Sequence, residues 1–266
     1  MYMISGPRRE FNAIITIAQR DVLRLLRDPA RVVAALILPV LFVGLIGAGF
    51  QGSFGQNLSY NLVVVIFTGI FAQTLFQSTA SGIISLIEDR ENNFSQAIFI
   101  SPISRYSIVV GKIIGESLVA FVQAIAVLLF GLVVGIPFTP LNIVGMLGAG
   151  ILVCLIGGSF GVLLLSLFGN QRAANQIMPF LIFPQFFLAG IFNPLVHVPW
   201  YLMVLSKITP LTYGVDLVRN AYYAGRPEYS QIIIANPLVN IAVMAGLFMA
   251  FVFIGTALFV NSERNR

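Results

Sequence analysis

Charge is what this chain has least of. Asp, Glu, Lys and Arg make up 9% of its 266 residues, while 58% are hydrophobic; an ordinary soluble domain carries about 25% charged residues. A chain so poor in charge cannot cover a water-facing surface, which makes it a polytopic membrane protein. Spans and connectors consume its length and leave no room for a soluble catalytic domain. Cysteine is reduced to Cys154, inside an apolar run, which excludes an internal disulfide and suits packing. His197, the single histidine, stands beside Pro199 without nearby carboxylates and reads as an interfacial polar group. No H-E-x-x-H, paired acids or metal-spaced cluster interrupts the apolar runs, which argues against an intramembrane enzyme. The G-x-x-x-x-G-K-[ST] phosphate loop is also missing, so any ATP must be bound elsewhere. Midplane ionisable residues, on which ion- and proton-coupled carriers depend, are essentially lacking. No convincing internal repeat is present, unlike in inverted-repeat carriers. The basic N-terminal residues precede an amphipathic segment and not a short apolar core, so no cleavable signal is expected.

What the chain does have is long apolar runs. About 20 apolar residues cross a hydrocarbon core of about 30 Å, and six spans are expected, over 32–50, 62–87, 113–136, 143–168, 177–192 and 238–260. Ahead of them, residues 7–29 place Phe11, Ile14, Ile15, Ala18, Val22, Leu25 and Leu26 at helical spacing. Arg20, Arg24, Arg27 and Arg31 form a basic stripe on the same segment. That is the pattern of a helix lying in the membrane interface. Pro39 is expected to kink the first span, its freed carbonyl being met by neighbours. In the second span Gln73 and Gln77 share a face. With Thr68, Thr74, Ser78, Thr79 and Ser81 they form a stripe that must meet protein or a wet cavity, either packing between helices or lining a substrate path. Glu116 opens the third span as a structural partner of Lys112 or of a neighbouring helix. The glycines of the fourth span permit close helix approach. Pro179 and Pro184 interrupt a short fifth span. The hydrophobic piece 196–206 that follows is too short to cross and suits a re-entrant or interfacial helix. Trp200, Tyr201, Tyr213, Tyr222 and Tyr223 provide an aromatic belt, and Asp216 and Arg219, three apart on one helix, are expected to pair.

Residues 88–112, EDRENNFSQAIFISPISRYSIVVGK, form a polar island between the second and third spans. A charge at the centre of a membrane helix costs about 3 kcal/mol, so Glu88-Asp89-Arg90-Glu91 must end the second span. Beyond Asn92-Asn93, residues Phe94, Ala97 and Ile98 fall on one face of a short helix, which Ser101-Pro102 stops. A short half-apolar helix in a charged loop looks built to touch another protein. Twelve of the 15 Lys and Arg residues lie on the side of this loop and of both ends of the chain. Lys207, Arg219 and Arg226 lie on the other. That bias places both termini and the loop in the cytoplasm of a cell inner or plasma membrane. The net charge of +5 and pI of about 9.7 then reflect cytoplasmic Lys and Arg facing anionic lipid, with no need for nucleic acid.

The same loop resembles the E-[RK]-E-x-G-T-L-x-x-L-x-x-[ST]-P-I-S-R segment, ending in G-K, of permeases of type-2 ATP-binding-cassette (ABC-2) exporters. Glu88 or Asp89, Arg90 and Glu91 match its start, Ser101-Pro102-Ile103-Ser104-Arg105 its end and Gly111-Lys112 its G-K; Asn92-Asn93 stand where Gly-Thr is usual. A second block, residues 185–220, is similar to the family's F-x-x-[SA]-G-x-x-x-P, x-x-P-x-W/Y and P-L-T-Y-x-x-D-x-x-R patterns through Pro194, Pro199, Pro210, Leu211, Thr212, Tyr213, Asp216 and Arg219. The resemblance implies an all-α permease domain over 1–266: six transmembrane helices, an N-terminal amphipathic elbow helix (7–29), a cytoplasmic coupling helix within 88–112, and a re-entrant extracellular helical hairpin (193–223) between spans five and six. It implies that Glu88, Asp89, Arg90, Glu91, Phe94, Ile98, Ser101, Pro102 and Arg105 couple the chain to two copies of an ABC ATPase, which would hold ATP and Mg. It also implies a second copy of the permease, with a pathway lined by spans one, two and five.

The expected function is outward transport of an amphipathic or hydrophobic compound (drug, lipid or glycolipid) by a non-catalytic subunit in contact with membrane lipids. The competing class is an ion-coupled carrier or another polytopic protein without an ATPase, and a co-purifying ATPase separates the two. Gln73, Gln77, Phe186 and Phe187 are the expected pathway residues. Because span five ends early and 196–206 cannot cross, irregular backbone is left in the outer leaflet. It is expected to form an extracellular gate with Phe192, Pro194, Pro199, Pro210 and Tyr213, closed by apolar packing.

Overall fold

Proline and small polar residues punctuate the apolar runs, and the helices follow that punctuation. The computed structural model describes residues 7–55, 58–91, 104–168 and 171–264. Its elements are α1 (Pro7–Leu26), α2 (Pro29–Pro39), a π-helical segment (Val40–Gly47), α3 (Ala48–Phe54), α4 (Leu62–Glu91), α5 (Arg105–Val133), α6 (Pro140–Leu167), α7 (Gln171–Leu188), α8 (Trp200–Ile208), α9 (Pro210–Tyr223), the single turn α10 (Tyr229–Ile232) and α11 (Pro237–Arg264), with a 3-10 turn at Leu195–His197. No strand occurs among the described residues. Local chemistry sets the starts. Ser104 Oγ accepts from Ser107 N at 3.1 Å to cap α5. Thr139 and Asn142 form a capping box at α6, where Pro140 occupies the first turn, a position that has no use for its missing N–H. Asn61 Oδ1 accepts from Val63 N at 2.9 Å at the start of α4.

Among the described residues, five stretches are long and apolar enough to cross a membrane: Val33–Phe54, Leu62–Ile83, Ser107–Val133, Pro140–Leu167 and Tyr229–Leu258. The expected fifth span, 177–192, is not among them. The helix there begins at Gln171 and ends at Leu188. It gains Gln171, Arg172, Asn175 and Gln176 at its start, which dilute its apolar character. Its 18 residues reach about 27 Å at ~1.5 Å per residue. The second span was expected to end at residue 87, but α4 runs on to Glu91. Charge ends a crossing of hydrocarbon without ending a helix, because Glu and Arg are good helix formers. Residues 92–103, which hold the expected coupling helix with Phe94, Ile98, Ser101 and Pro102, lie outside the described residues.

The core is built on α4 and α6, which cross closely because α6 turns glycines toward α4. A Cβ on Gly157 would stand 2.5 Å from Phe76 O, and one on Gly161 2.6 Å from Ala80 O. Neither position tolerates a side chain, and this is the role foreseen for the glycines of that span. Helix α9 lies against α4, α6 and α11 and is buried from Pro210 to Asn220 except for Tyr213. Helix α1 packs along α5. The chain therefore has two ends. One holds α1 and the start of α5. The other holds the turn after α7, helices α8 to α10 and the α5–α6 turn, joined by the bond from Tyr222 Oη to Pro137 O at 2.9 Å.

Candidate functional site

Helix α4 carries more polar groups than its neighbours, and they divide into two sets. Thr68, Thr74 and Thr79 return their hydroxyls to Val65 O, Ile70 O and Leu75 O, so the helix itself satisfies them. Gln73 and Gln77, one turn apart, bond each other: Gln73 Nε2 donates to Gln77 Oε1 at 3.1 Å. Both open onto a cavity of about 270 Å³. Its walls come from Ala34, Ala35, Leu38 and Pro39 of α2, Gln123 of α5 and Phe186 of α7, and Ser78 and Ser81 continue the glutamine row. A second cavity of about 320 Å³ shares Leu38, Gln77, Ser81 and Phe186 and is completed by Phe42, Met178, Ile182 and Phe183, among others. The two form one groove between α2, α4 and α7, hydrogen-bonding on one side and aromatic on the other. Among the described residues no Asp, Glu, Lys or Arg lines it.

Pro39 shapes the wall of this groove. Proline lacks the N–H that an α-helix needs and crowds the preceding turn. Beyond it the chain continues into eight residues of π-helix, Val40–Gly47, whose wider turns re-aim the side chains that follow. The π segment carries Phe42 to Phe186 and Phe192, with ring centroids 5.6 and 5.3 Å apart. Phe187 meets Phe192 at 5.5 Å and Phe183 at 5.7 Å. The structure thus brings Phe186, Phe187 and Phe192 together and adds Phe42. It changes their ranking: Phe186 is 6% exposed and Phe187 61%. Phe187 faces outward from α7, so the burial argument for closure belongs to Phe186.

The turn beyond α7 is held by an unexpected anchor. Gly190 takes φ +70°, the left-handed conformation that only glycine adopts without cost. The turn lies against Gly69 of α4, where a Cβ would stand 2.9 Å from Ile191 Cα. Arg219, wholly buried, donates from Nη2 to Gly190 O (2.7 Å), Ile191 O (3.2 Å) and Val65 O (3.2 Å). The expected Asp216–Arg219 ion pair is replaced by two separate assignments. Asp216 turns toward the entry of α11, where its carboxylate accepts from Ile234 N (2.9 Å), Ala235 N (3.1 Å) and Asn240 Nδ2 (2.7 Å). Backbone groups stranded in the two non-helical turns outcompete the side-chain pair. Of the remaining gate residues, Pro194 is buried before the 3-10 turn, while Pro199 and Pro210 open α8 and α9. Tyr213 Oη donates to Lys207 O at 2.8 Å and fastens these two helices together.

At the opposite end, Lys112 Nζ lies 2.9 Å from Asp21 Oδ2 and 2.8 Å from Glu116 Oε1, all three side chains at most 2% exposed. The expected partnership of Glu116 with Lys112 is present; Asp21 was missed. It falls at helical spacing with the buried Ala18 and Leu25, and an acid on that apolar face was the signal available. Glu10 of α1 accepts from Ser104 N at 3.1 and 3.2 Å, so α1 holds the chain where it re-enters α5. Glu88, Asp89, Arg90 and Glu91 form the last turn of α4 and Arg105 the first of α5.

Long apolar helices packed side by side define a multi-pass helical membrane protein. The sequence profile of the ABC-2 type transporter family matches residues 12–223, and the chain belongs to that family. It is accordingly a transmembrane component of an ABC transporter, a transport subunit and not a catalytic enzyme, in a family that works with ABC ATPases. Among relatives, a protein named as transport permease ycf38 in Cyanophora paradoxa is 26% identical over 244 residues, covering 90% of this chain and 84% of that protein. Its counterpart in Pyropia yezoensis is 26% identical over 234 residues, covering 85% and 78%. The protein of Escherichia coli K12 named probable multidrug ABC transporter permease YbhR is 26% identical over 174 residues, 64% of this chain and 46% of that protein.

Proposed function

We propose that this chain is the permease subunit of an ATP-driven exporter and moves an amphipathic or hydrophobic compound out of the cell. Two copies enclose the pathway, and two copies of a separate ABC ATPase supply ATP hydrolysis through residues 88–112. Helix α7 serves as the sixth crossing, and α1 is the elbow helix in the cytoplasmic interface of the inner or plasma membrane. The segment from Ala189 to Tyr223 closes the extracellular side.

The observation that carries this reading is the groove between α2, α4 and α7. It combines amide and hydroxyl groups with aromatic surface and, among the described residues, contains no charged side chain, a composition suited to a molecule that is partly polar and partly apolar. It lies beside helices whose outer faces the chain leaves uncovered, as Leu45 (68% exposed) and Phe180 (79%) illustrate. Such faces fit a second copy or lipid.

The test is reconstitution of the purified protein with its co-purifying ATPase in proteoliposomes, following ATP-dependent movement of a lipophilic dye. Gln73→Ala with Gln77→Ala is expected to lower transport at least several-fold while the ATPase still co-purifies. Cysteines at Leu45 and Phe187 are expected to cross-link two copies. Absence of any bound ATPase, or dye transport that ignores ATP, overturns the proposal.

A further inference from the structure

Inside the groove one buried acceptor is left over. Gln73 is 2% exposed and donates one of its two Nε2 hydrogens to Gln77, while its Oε1 has no hydrogen-bond partner among the described residues. Ser78 Oγ, on the same wall of the same cavity, is likewise buried without one. A native interior rarely leaves such groups unpaired, because each forfeits its solvation. An apolar occupant, whether lipid tail or helix face, does nothing for them. A donor does.

We infer that the groove selects amphiphiles whose headgroup is uncharged and donates hydrogen bonds, through O–H or N–H, to Gln73 Oε1. The inference deepens the permease reading and rests on it. Charged headgroups are disfavoured by what the walls lack: among the described residues no carboxylate receives a cation and no Arg or Lys receives an anion, and a buried unpaired charge is costly. The apolar part lies on the aromatic side, against Phe42, Phe183 and Phe186. At about 270 and 320 Å³, the adjoining halves are of the size that takes small ligands.

The experiment uses the full-length protein in phosphatidylcholine nanodiscs and three probes that share one fluorescently labelled dodecyl tail. Their heads are glucoside (neutral donor), dimethylamine N-oxide (neutral, acceptor only) and trimethylammonium (cation). Dissociation constants are measured by anisotropy after subtraction of empty nanodiscs. The glucoside is expected to bind roughly tenfold more tightly than the other two, the scale of one hydrogen bond to an otherwise unpaired group. Gln73→Leu abolishes that preference and leaves tail binding intact, while Gln73→Glu shifts it toward the trimethylammonium probe. Ser78→Ala, a small change that keeps the fold, weakens the glucoside alone by a few-fold. Phe183→Ala weakens all three alike. Equal binding of the three heads, an unchanged preference in a monodisperse Gln73→Leu, or no binding of any probe overturns the inference. Equal binding throughout identifies the groove as a lipid or subunit contact. ATP-driven dye transport by the parent protein judges the permease reading separately.

Discussion

Replacing Arg219 by Met tests what holds the turn between α7 and α8. The substitution keeps the length of the side chain and removes its donors. In the native protein Nη2 donates toward Gly190 O, Ile191 O and Val65 O at 2.7 to 3.2 Å. One Nη2 has two hydrogens, so two of these bonds act fully at a time. A hydrogen bond from a charged donor contributes about 1.5–3 kcal/mol net, which gives about 3–6 kcal/mol gross. Against this stands the cost of burying a guanidinium, which the variant no longer bears and which offsets part of the loss. The carbonyls stay behind, since the turn is pressed onto Gly69 and has nowhere to expose them without unseating. A net loss of about 3 kcal/mol raises the population of the displaced turn by more than a hundredfold. The assay places cysteine at Ile191, which is wholly buried, and follows maleimide labelling in nanodiscs; Cys154, equally buried, gives a low background. Labelling should accelerate strongly in Arg219→Met and the melting temperature should fall by several degrees. Arg219→Lys should be intermediate, because a point charge reaches fewer carbonyls than a fork. Unchanged labelling with a melting temperature within about one degree of the parent refutes the anchoring role.

Lys112→Met should destabilise the protein by about 3–5 kcal/mol, the usual cost of removing one partner from a buried ion cluster; adding Asp21→Asn and Glu116→Gln should recover most of it, read by thermal unfolding in detergent. Phe186→Ala should cost about 3 kcal/mol by cavity formation and open a leak to small solutes in vesicles without ATP. Phe187→Ala should change the isolated subunit little and act, if the outer face of α7 meets a second copy, on cross-linking between copies. Glu91→Ala combined with Arg90→Glu should separate ATP hydrolysis from dye transport while membrane insertion persists; normal transport by that variant removes the coupling role of this turn.

Much of the fold was written in hydropathy, because a bilayer forces long apolar helices whatever else the chain does. The amphipathic first helix, the long crossings and the partner of Glu116 could all be read from spacing. The readings that moved are those decided by backbone groups from distant parts of the chain. Asp216 and Arg219 are three apart on one helix, and spacing alone pairs them; the non-helical turns at 189–193 and 233–236 provide unmet carbonyls and amides that claim them instead. Sequence shows that Pro39 disturbs a helix but not that a π segment follows it, nor that this segment brings Phe42 to Phe186. Gln73 and Gln77 were legible as a polar face. That one amide oxygen remains unpaired depends on which atoms their mutual bond consumes, and spacing does not encode it.

The position of the groove carries its own mechanical consequence. In the stretch Val33–Phe54 only Pro39, Val43 and Gly47 are buried within the chain, whereas most of Leu62–Ile83 is. Helix α4 is locked against α6 by glycines that admit no side chain and is tied through Val65 O to Arg219. Helices α2 and α7 cover the groove with few such ties, and each contains prolines, Pro39 in one and Pro179 and Pro184 in the other, which interrupt the internal hydrogen bonding that stiffens a helix. The glutamine wall thus belongs to the rigid half of the molecule and the aromatic wall to the half that is held more loosely. Widening a groove so divided costs least by displacing α2 and α7 outward, since moving α4 would require breaking the crossing with α6. The polar contacts of a ligand with Gln73 would then stay in place while its apolar contacts with Phe42 and Phe186 are released. Weakening the apolar hold before the polar one suits delivery toward the watery side of a membrane, where a donor headgroup can exchange its last protein acceptor for water.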